Sequence, residues 1–350
     1  DLPLKWDSDN SGRATQKAAY GLLSRVALYA EKWDVAAQAA RDCATAEGNL
    51  DLSKNGYAKI FELGINSPEV LFAVEFKSSV IDHAYDAYVR PSGDTKELGK
   101  QVYSGFVPTS ELVDSYEMAG DGGNFSWEKH GKDPYANREP RFYATILYNG
   151  ADWMGRKIES FVGGKDGYKA YENAGAAGTT VTGYYLRKYL IDGDKTWVTS
   201  GSGQDWIVLR YAEVLLNKAE ALAMENWNKN SAEALQALND VRARVGLPAR
   251  ATADKETFLE YVRHERKVEL AGEGFRYWDL RRWRLAEKVI DGQNVHGVKI
   301  SKQSDGSFTY EQVDADGGHK RIFYDRYYRF AIPLSERSNN SLCTNNDGWI

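Results

Sequence analysis

The sequence is poor in the residues from which most catalytic and metal centres are built. Two cysteines, Cys43 and Cys343, lie far apart in 350 residues. They are too few for a disulfide framework and read as ordinary small apolar side chains. The five histidines, at positions 83, 130, 264, 296 and 319, are isolated, with no H-E-x-x-H spacing, so no metal site is expected. No Gly-Lys pair is followed by Ser or Thr, which excludes a P-loop, and there is no G-x-S-x-G elbow. Gly163–Gly167 has the composition of a turn rather than of a phosphate cradle. No apolar run approaches the roughly eighteen residues of a membrane-spanning helix. Excess positive charge is lacking too: the net charge is −5, which argues against a partner held by phosphate neutralisation, so no nucleic acid is expected. No cofactor is implied. Paired carboxylates are harder to dismiss among 50 acids, but no pair stands out as a glycosidase couple.

What is abundant is aromatic: 22 Tyr, 10 Trp and 12 Phe. Tyr and Trp combine a flat apolar face with a polar handle, which suits both stacking on sugar rings and the core of a helical domain.

In chain order, residues 13–46 read as a helix pair. Ala18, Leu22, Val26 and Tyr29 form a helical stripe, and Ala36, Ala37, Ala40 and Ala44 offer the small face that closely crossing helices need. Glu69–Phe76 alternates with period two and predicts a strand. Residues 77–140 lack a sustained period and predict long loops, relieved by one short helix over Thr109–Met118 with Ser110 as its cap. Arg141–Tyr148 is a second strand candidate. The Gly-rich stretch 149–183 follows. Trp206 opens a strongly periodic segment, and Ala232–Val245, stopped by Gly246 and Pro248, makes a second helix pair with it. Residues 254–290 predict a third pair, and 291–350 short extended pieces. The expected organisation is one domain over 1–350: a helix pair at 13–46, strands and ligand-side loops at 69–205, helix pairs at 206–290, and extended segments at 291–350.

Several motifs resemble one family. They are Gly12-Arg13-Ala14-Thr15, Asp133-Pro134-Tyr135, Asn137-Arg138-Glu139-Pro140-Arg141-Phe142 and Gly183-Tyr184-Tyr185-Leu186-Arg187-Lys188. To these add Arg210-Tyr211-Ala212-Glu213, Lys218-Ala219-Glu220-Ala221, Asn239-Asp240-Val241-Arg242-Ala243-Arg244 with Gly246-Leu247-Pro248, the run Arg263–Arg284, and Ile332-Pro333-Leu334-Ser335-Glu336. In this order they resemble the SusD-like (RagB-like) proteins of Bacteroidetes outer membranes. The resemblance implies a mainly α fold of tetratricopeptide-like helix pairs with long irregular ligand-side loops and a few short strands. It implies a surface-exposed, non-catalytic lipoprotein on the extracellular face of the outer membrane. Such a protein captures oligosaccharides and delivers them to a SusC-like TonB-dependent transporter. Peptide capture, as in the RagB branch, and a helical-repeat scaffold with no small ligand are the alternatives. The chain looks like the C-terminal two thirds of such a protein, with the N-terminal portion and lipidated Cys outside it.

Aromatics on irregular segments have less structural excuse than those on helical stripes, so the ligand is sought at 77–105 and 150–175. Tyr85, Tyr88, Tyr103, Trp153, Tyr168 and Tyr171 are the candidate stacking residues. Asp82 and Arg156 are the candidate polar partners for sugar hydroxyls, with His83, Arg90 and Asp166 near them. The other tryptophans near helices, Trp6, Trp33, Trp206, Trp227, Trp278 and Trp283, are expected in the core. The run 263–284 interleaves cations, acids and aromatics, and the pattern predicts an internal ionic lock. In it Glu265, Glu269, Glu273 and Asp279 would satisfy Arg266, Arg276, Arg281 and Arg282.

Overall fold

The computed structural model describes residues 2–120, 122–167 and 179–349. The first helix pair is α1 (Gln16–Tyr29) and α2 (Trp33–Thr45), followed by α3 (Gly56–Leu63). Three of the four expected alanines, Ala36, Ala37 and Ala40, are buried, allowing the pair to pack closely, but Ala44 is exposed and Cys43 takes its place on the buried face. The predicted stripe on α1 does not. Leu22 and Val26 are about half exposed, and the buried face runs instead through Ala18, Gly21, Ser24 and Ala27. A Cβ at Gly21 would lie 2.8 Å from Leu71, so the small residues, not the large ones, set how close α1 approaches the next element.

That element is β1 (Val70–Val74), the centre of the predicted strand. Five short helices follow: α4 (Tyr85–Val89), α5 (Gly93–Leu98), α6 (Ser110–Val113), α7 (Trp127–His130) and α8 (Pro140–Thr145). Helix α6 is one turn long and its N-cap is Thr109, not Ser110, whose hydroxyl is buried inside the turn. Residues 141–145, expected as strand, are helical because Pro140 occupies the first helical position with its φ already set. Only β2 (Ile146–Leu147) of that candidate is extended; it pairs with β5 (Tyr185–Leu186), and between them β3 (Asp152–Trp153) pairs with β4 (Arg156–Lys157).

After a single-turn α9 (Trp197–Ser200) comes β6 (Trp206–Arg210), antiparallel to β1 with Val70 opposite Arg210 and Val74 opposite Trp206. The periodic segment therefore starts five residues later than its pattern suggests. Ile207 and Val208 are β-branched and complete a two-stranded ribbon before the chain turns into α10 (Tyr211–Arg244). Helix α10 has two limbs, broken at Asn226 (φ −163°, ψ 94°), which makes it the expected second pair. Its buried Leu215, Leu216, Ala219, Leu222, Leu238 and Val241 share a core with Ala36 and Ala37 of α2 and Phe258 and Val262 of α11 (Lys255–Glu269). The expected third pair is α11 with two short helices, α12 (Arg276–Arg282) and α13 (Ala286–Ile290). A hairpin, β7 (His296–Lys302) with β8 (Phe308–Asp314), and a last short helix, α14 (Leu334–Asn339), follow. Cys43 and Cys343 are both free.

The ionic lock exists, with partners redistributed. Glu269 accepts from Arg141 (2.9 Å), from Arg210 (2.6 Å) and from Arg244. Arg141 also reaches Glu139 and Glu265. Arg210 reaches Glu69 and Glu273, and Lys188 reaches Glu273. All these side chains are at most 3% exposed. Arg266 and Arg282 do bind Asp279, as expected, and Arg282 grips Glu220 as well. Arg281, however, donates to the backbone carbonyls of Tyr327 and Tyr328 rather than to an acid. Burial penalises the charged form of Glu269, yet the three arginines outweigh it and hold its carboxyl well below the usual range.

Candidate functional site

Of the eight residues expected at a ligand face, the six described ones do not form one face. Helix α4 carries two of them. Tyr85 turns inward: its hydroxyl donates to the Lys188 carbonyl (3.0 Å), and its ring meets Tyr189 and Trp206 edge-on, each at 5.9 Å. One turn later Tyr88 points out. Its ring stacks on Tyr103 with centroids 5.1 Å apart and planes 26° apart, and the two rings are 48% and 47% exposed. The stack is held from behind by backbone: the amide of Tyr103 donates to Ala87 O and that of Gly105 to Tyr88 O, both at 2.7 Å. Phe106 beyond it is 63% exposed. Asp82 is exposed and lies against Gly201, while His83 is tied to the Gln204 carbonyl at 2.8 Å.

Trp153 corrects the expectation most sharply. It is fully buried, its indole N–H donates to Asp94 (3.0 Å), and Arg90 lies 5.2 Å from the ring centre. A ring with no exposed face has no room for a sugar. Arg156 belongs to the same interior cluster, bonding Asp94 (2.8 Å) and Asp166 (2.6 Å). Arg90 binds Asp86 and Asp94, and Asp166 also accepts from the amides of Gly93 and Glu159. These polar groups are spent on holding α4 and α5 against the β3–β4 turn. Tyr168 and Tyr171 lie outside the described residues. Of the tryptophans expected in the core, Trp206 and Trp278 are 37% and 46% exposed.

A further concavity, which the sequence does not signal, lies elsewhere. It is a cleft of about 660 Å³ between α3, α8, the 187–190 segment and the end of α10, within the ~300–1,000 Å³ range of small-ligand sites. Tyr57, Phe61, Tyr143 and Tyr189 supply its aromatic walls, and Lys59, Glu62 and Arg187 its charged rim. Burial pushes the Lys188 ammonium down to about 8 despite Glu273 beside it. Five separate segments build this cleft, Ala119 contributing the fifth, so no local run of sequence announces it.

The SusD family model matches residues 68–349, most of the chain, from before β1 to the last described residue. The chain belongs to the SusD family. A curated relative, the SusD-like protein P38 of Formosa agariphila, is 32% identical over 133 residues, covering 35% of this chain and 25% of its own. Among solved structures, a SusD-like protein from Bacteroides fragilis superposes with a TM-score of 0.84 at 27% identity, over 99% of this chain and 68% of that one. A SusD-like carbohydrate-binding protein from the same species gives 0.77 at 25% identity, over 97% of this chain and 67% of that one. This chain spans only 25% and 55% of the two curated relatives it matches. The helix-pair scaffold is the fold this chain shares with those structures, and the loops around α4 and α5 are where it displays aromatics.

Proposed function

We propose that this chain is part of a non-catalytic glycan-binding protein in which the Tyr88–Tyr103 stack is the platform for a sugar ring. The observation that carries this is the pair itself: two tyrosines, one at the end of α4 and one on the irregular segment after α5, fixed by backbone hydrogen bonds and half exposed. A sugar presents its C–H face to such a ring, while the phenol hydroxyls remain available to its hydroxyl groups. The carbohydrate-binding relative from Bacteroides fragilis supports the ligand class. In this reading the protein works at the extracellular face of the outer membrane, held by a lipid anchor, and passes oligosaccharides to a SusC-like TonB-dependent transporter. No helix among the described residues is long and apolar enough to cross a membrane. A panel of oligosaccharides tests the proposal by titration. Saturable binding of at least one glycan is expected, with no new reducing ends after long incubation. Tyr88→Ala and Tyr103→Ala should each weaken binding by about tenfold, the scale of one lost aromatic contact of ~1.5 kcal/mol. Binding of peptides but of no glycan would move the reading to peptide capture.

A further inference from the structure

The run 263–284 has an outer face that the buried network leaves unpaired. Between α11, α12 and α13 lies a groove of about 220 Å³ lined by Arg263, His264, Lys267, Arg276 and Lys288, with Glu260 the one acid on its wall. Counting His264 as neutral, four cations face one carboxylate, in a protein whose net charge is −5. Several of these groups have donors to spare. Arg276, partly buried, makes no hydrogen bond or ion pair among the described residues. The nearest acid that acts on it is Asp279, already held by Arg266 and Arg282. Lys288 is exposed and without an ion pair. Arg263 bonds Glu260 through one terminal nitrogen, and its buried Nε has no partner. Lys267 donates to the Glu111 carbonyl and Ser115 hydroxyl, which leaves one of three N–H bonds. His264 Nε2 lies 3.2 Å from Glu117 on the inner side. The floor is apolar, from Leu280 and Trp283, which strengthens the field of the cations above it.

Uncompensated cations close together are costly unless something answers them. Burial, then the charge of Arg276, pushes Lys267 down to about 8, and burial pushes Arg276 below its ordinary value. The groove holds the volume of about seven waters at ~30 Å³ each, which suits one compact anion with part of its hydration, or one charged ring substituent. Arginine presents the planar fork that oxyanions take bidentately.

We propose that this groove is an oxyanion-binding site for a sulfate or carboxylate group, either free in solution or carried on a sugar ring. It is separate from the Tyr88–Tyr103 platform and does not depend on the glycan-binding reading.

Calorimetric titration with sodium sulfate, against sodium chloride at matched ionic strength, tests it. Saturable sulfate binding is expected, weakened about tenfold in Arg276→Gln and about threefold in Lys288→Gln. It should also weaken as pH rises through about 8, where Lys267 loses its proton. Glucose 6-sulfate, glucuronate and glucose form the second arm. Tighter binding of a charged sugar than of sulfate, with its excess over glucose lost in Arg276→Gln, assigns the anion to a sugar; tighter binding of sulfate assigns it to the free ion. Lys288 is exposed, so Lys288→Gln retains the fold even if Arg276→Gln does not. No saturable binding by any of the anions, or binding unchanged in both variants, overturns the proposal.

Discussion

Trp153 and the Tyr88–Tyr103 pair come from the same class of irregular, Gly- and Tyr-rich chain, yet the structure uses them in opposite ways. Trp153 is enclosed, its N–H committed to Asp94 and its face to Arg90. The tyrosines are anchored through backbone and by stacking on each other, and remain half exposed. The two faces of the 263–284 run differ in the same manner. Inward, Glu265, Glu269, Glu273 and Asp279 are each held by at least one cation. Outward, Arg276 is held by none among the described residues, and neither is Lys288 on α13 beyond the run. Residue type does not separate structure from recognition here. What separates them is whether each polar or aromatic group has already found a partner.

The largest effect expected from this contrast is at Glu269. Glu269→Gln leaves Arg141, Arg210 and Arg244 with one carboxylate fewer in a dry interior, and should cost about 3–5 kcal/mol in urea denaturation. Arg276→Gln, on the other face of the same segment, should stay within about 0.5 kcal/mol of the parent; equal losses would break the comparison. Next comes Trp153→Ala, which empties a fully buried site and should cost about 3–5 kcal/mol while leaving the glycan affinity of the folded fraction unchanged. Arg282→Ala should behave the same way at lower cost, about 2–4 kcal/mol, because its head is partly exposed and Asp279 keeps Arg266.

The pH dependence sharpens the contrast further. Glu117, Glu269 and Glu273 titrate below their ordinary 4.5 when folded. The stability they contribute is fully present above that value and is lost as pH falls through their depressed range. Glu139, raised by burial, works in the opposite sense and offsets part of this. The smallest effect is on the alkaline side. Lys267 is lowered from 10.5 to about 8, so the unfolded chain holds more protons between those values and stability rises with pH across them. Lys188 is lowered likewise. Thermal melts of Lys267→Met from pH 7 to 10.5 should show a smaller alkaline gain than the parent.

The helix pairs were legible because an amphipathic helix writes its period into consecutive residues, as in 211–225 and 232–244. Ile207 and Val208 were misassigned because a short buried strand and a helix start share an apolar pattern, and the strand exists only because β1 pairs with it. Residues 141–145 read as part of a strand candidate but are helical because Pro140 holds the first helical position. At the candidate site, the exposure of Tyr88 and Tyr103 was legible from their irregular surroundings. Trp153 and Arg156 could not be excluded, since their partners, Asp94 and Asp166, are supplied from other segments. Arg276 was given an acid that the structure spends elsewhere, for a purely three-dimensional reason: Glu269 and Glu273 face the arginines of β6 and α10 and Lys188 after β5.

One titration tests the central claim, that recognition lies with the unspent aromatics. A bound oligosaccharide is titrated into the parent, Tyr88→Ala and Trp153→Phe, with each protein shown to be folded by its melting transition. The account predicts affinity reduced about tenfold in Tyr88→Ala and unchanged in Trp153→Phe. Affinity lost in Trp153→Phe and kept in Tyr88→Ala would contradict it.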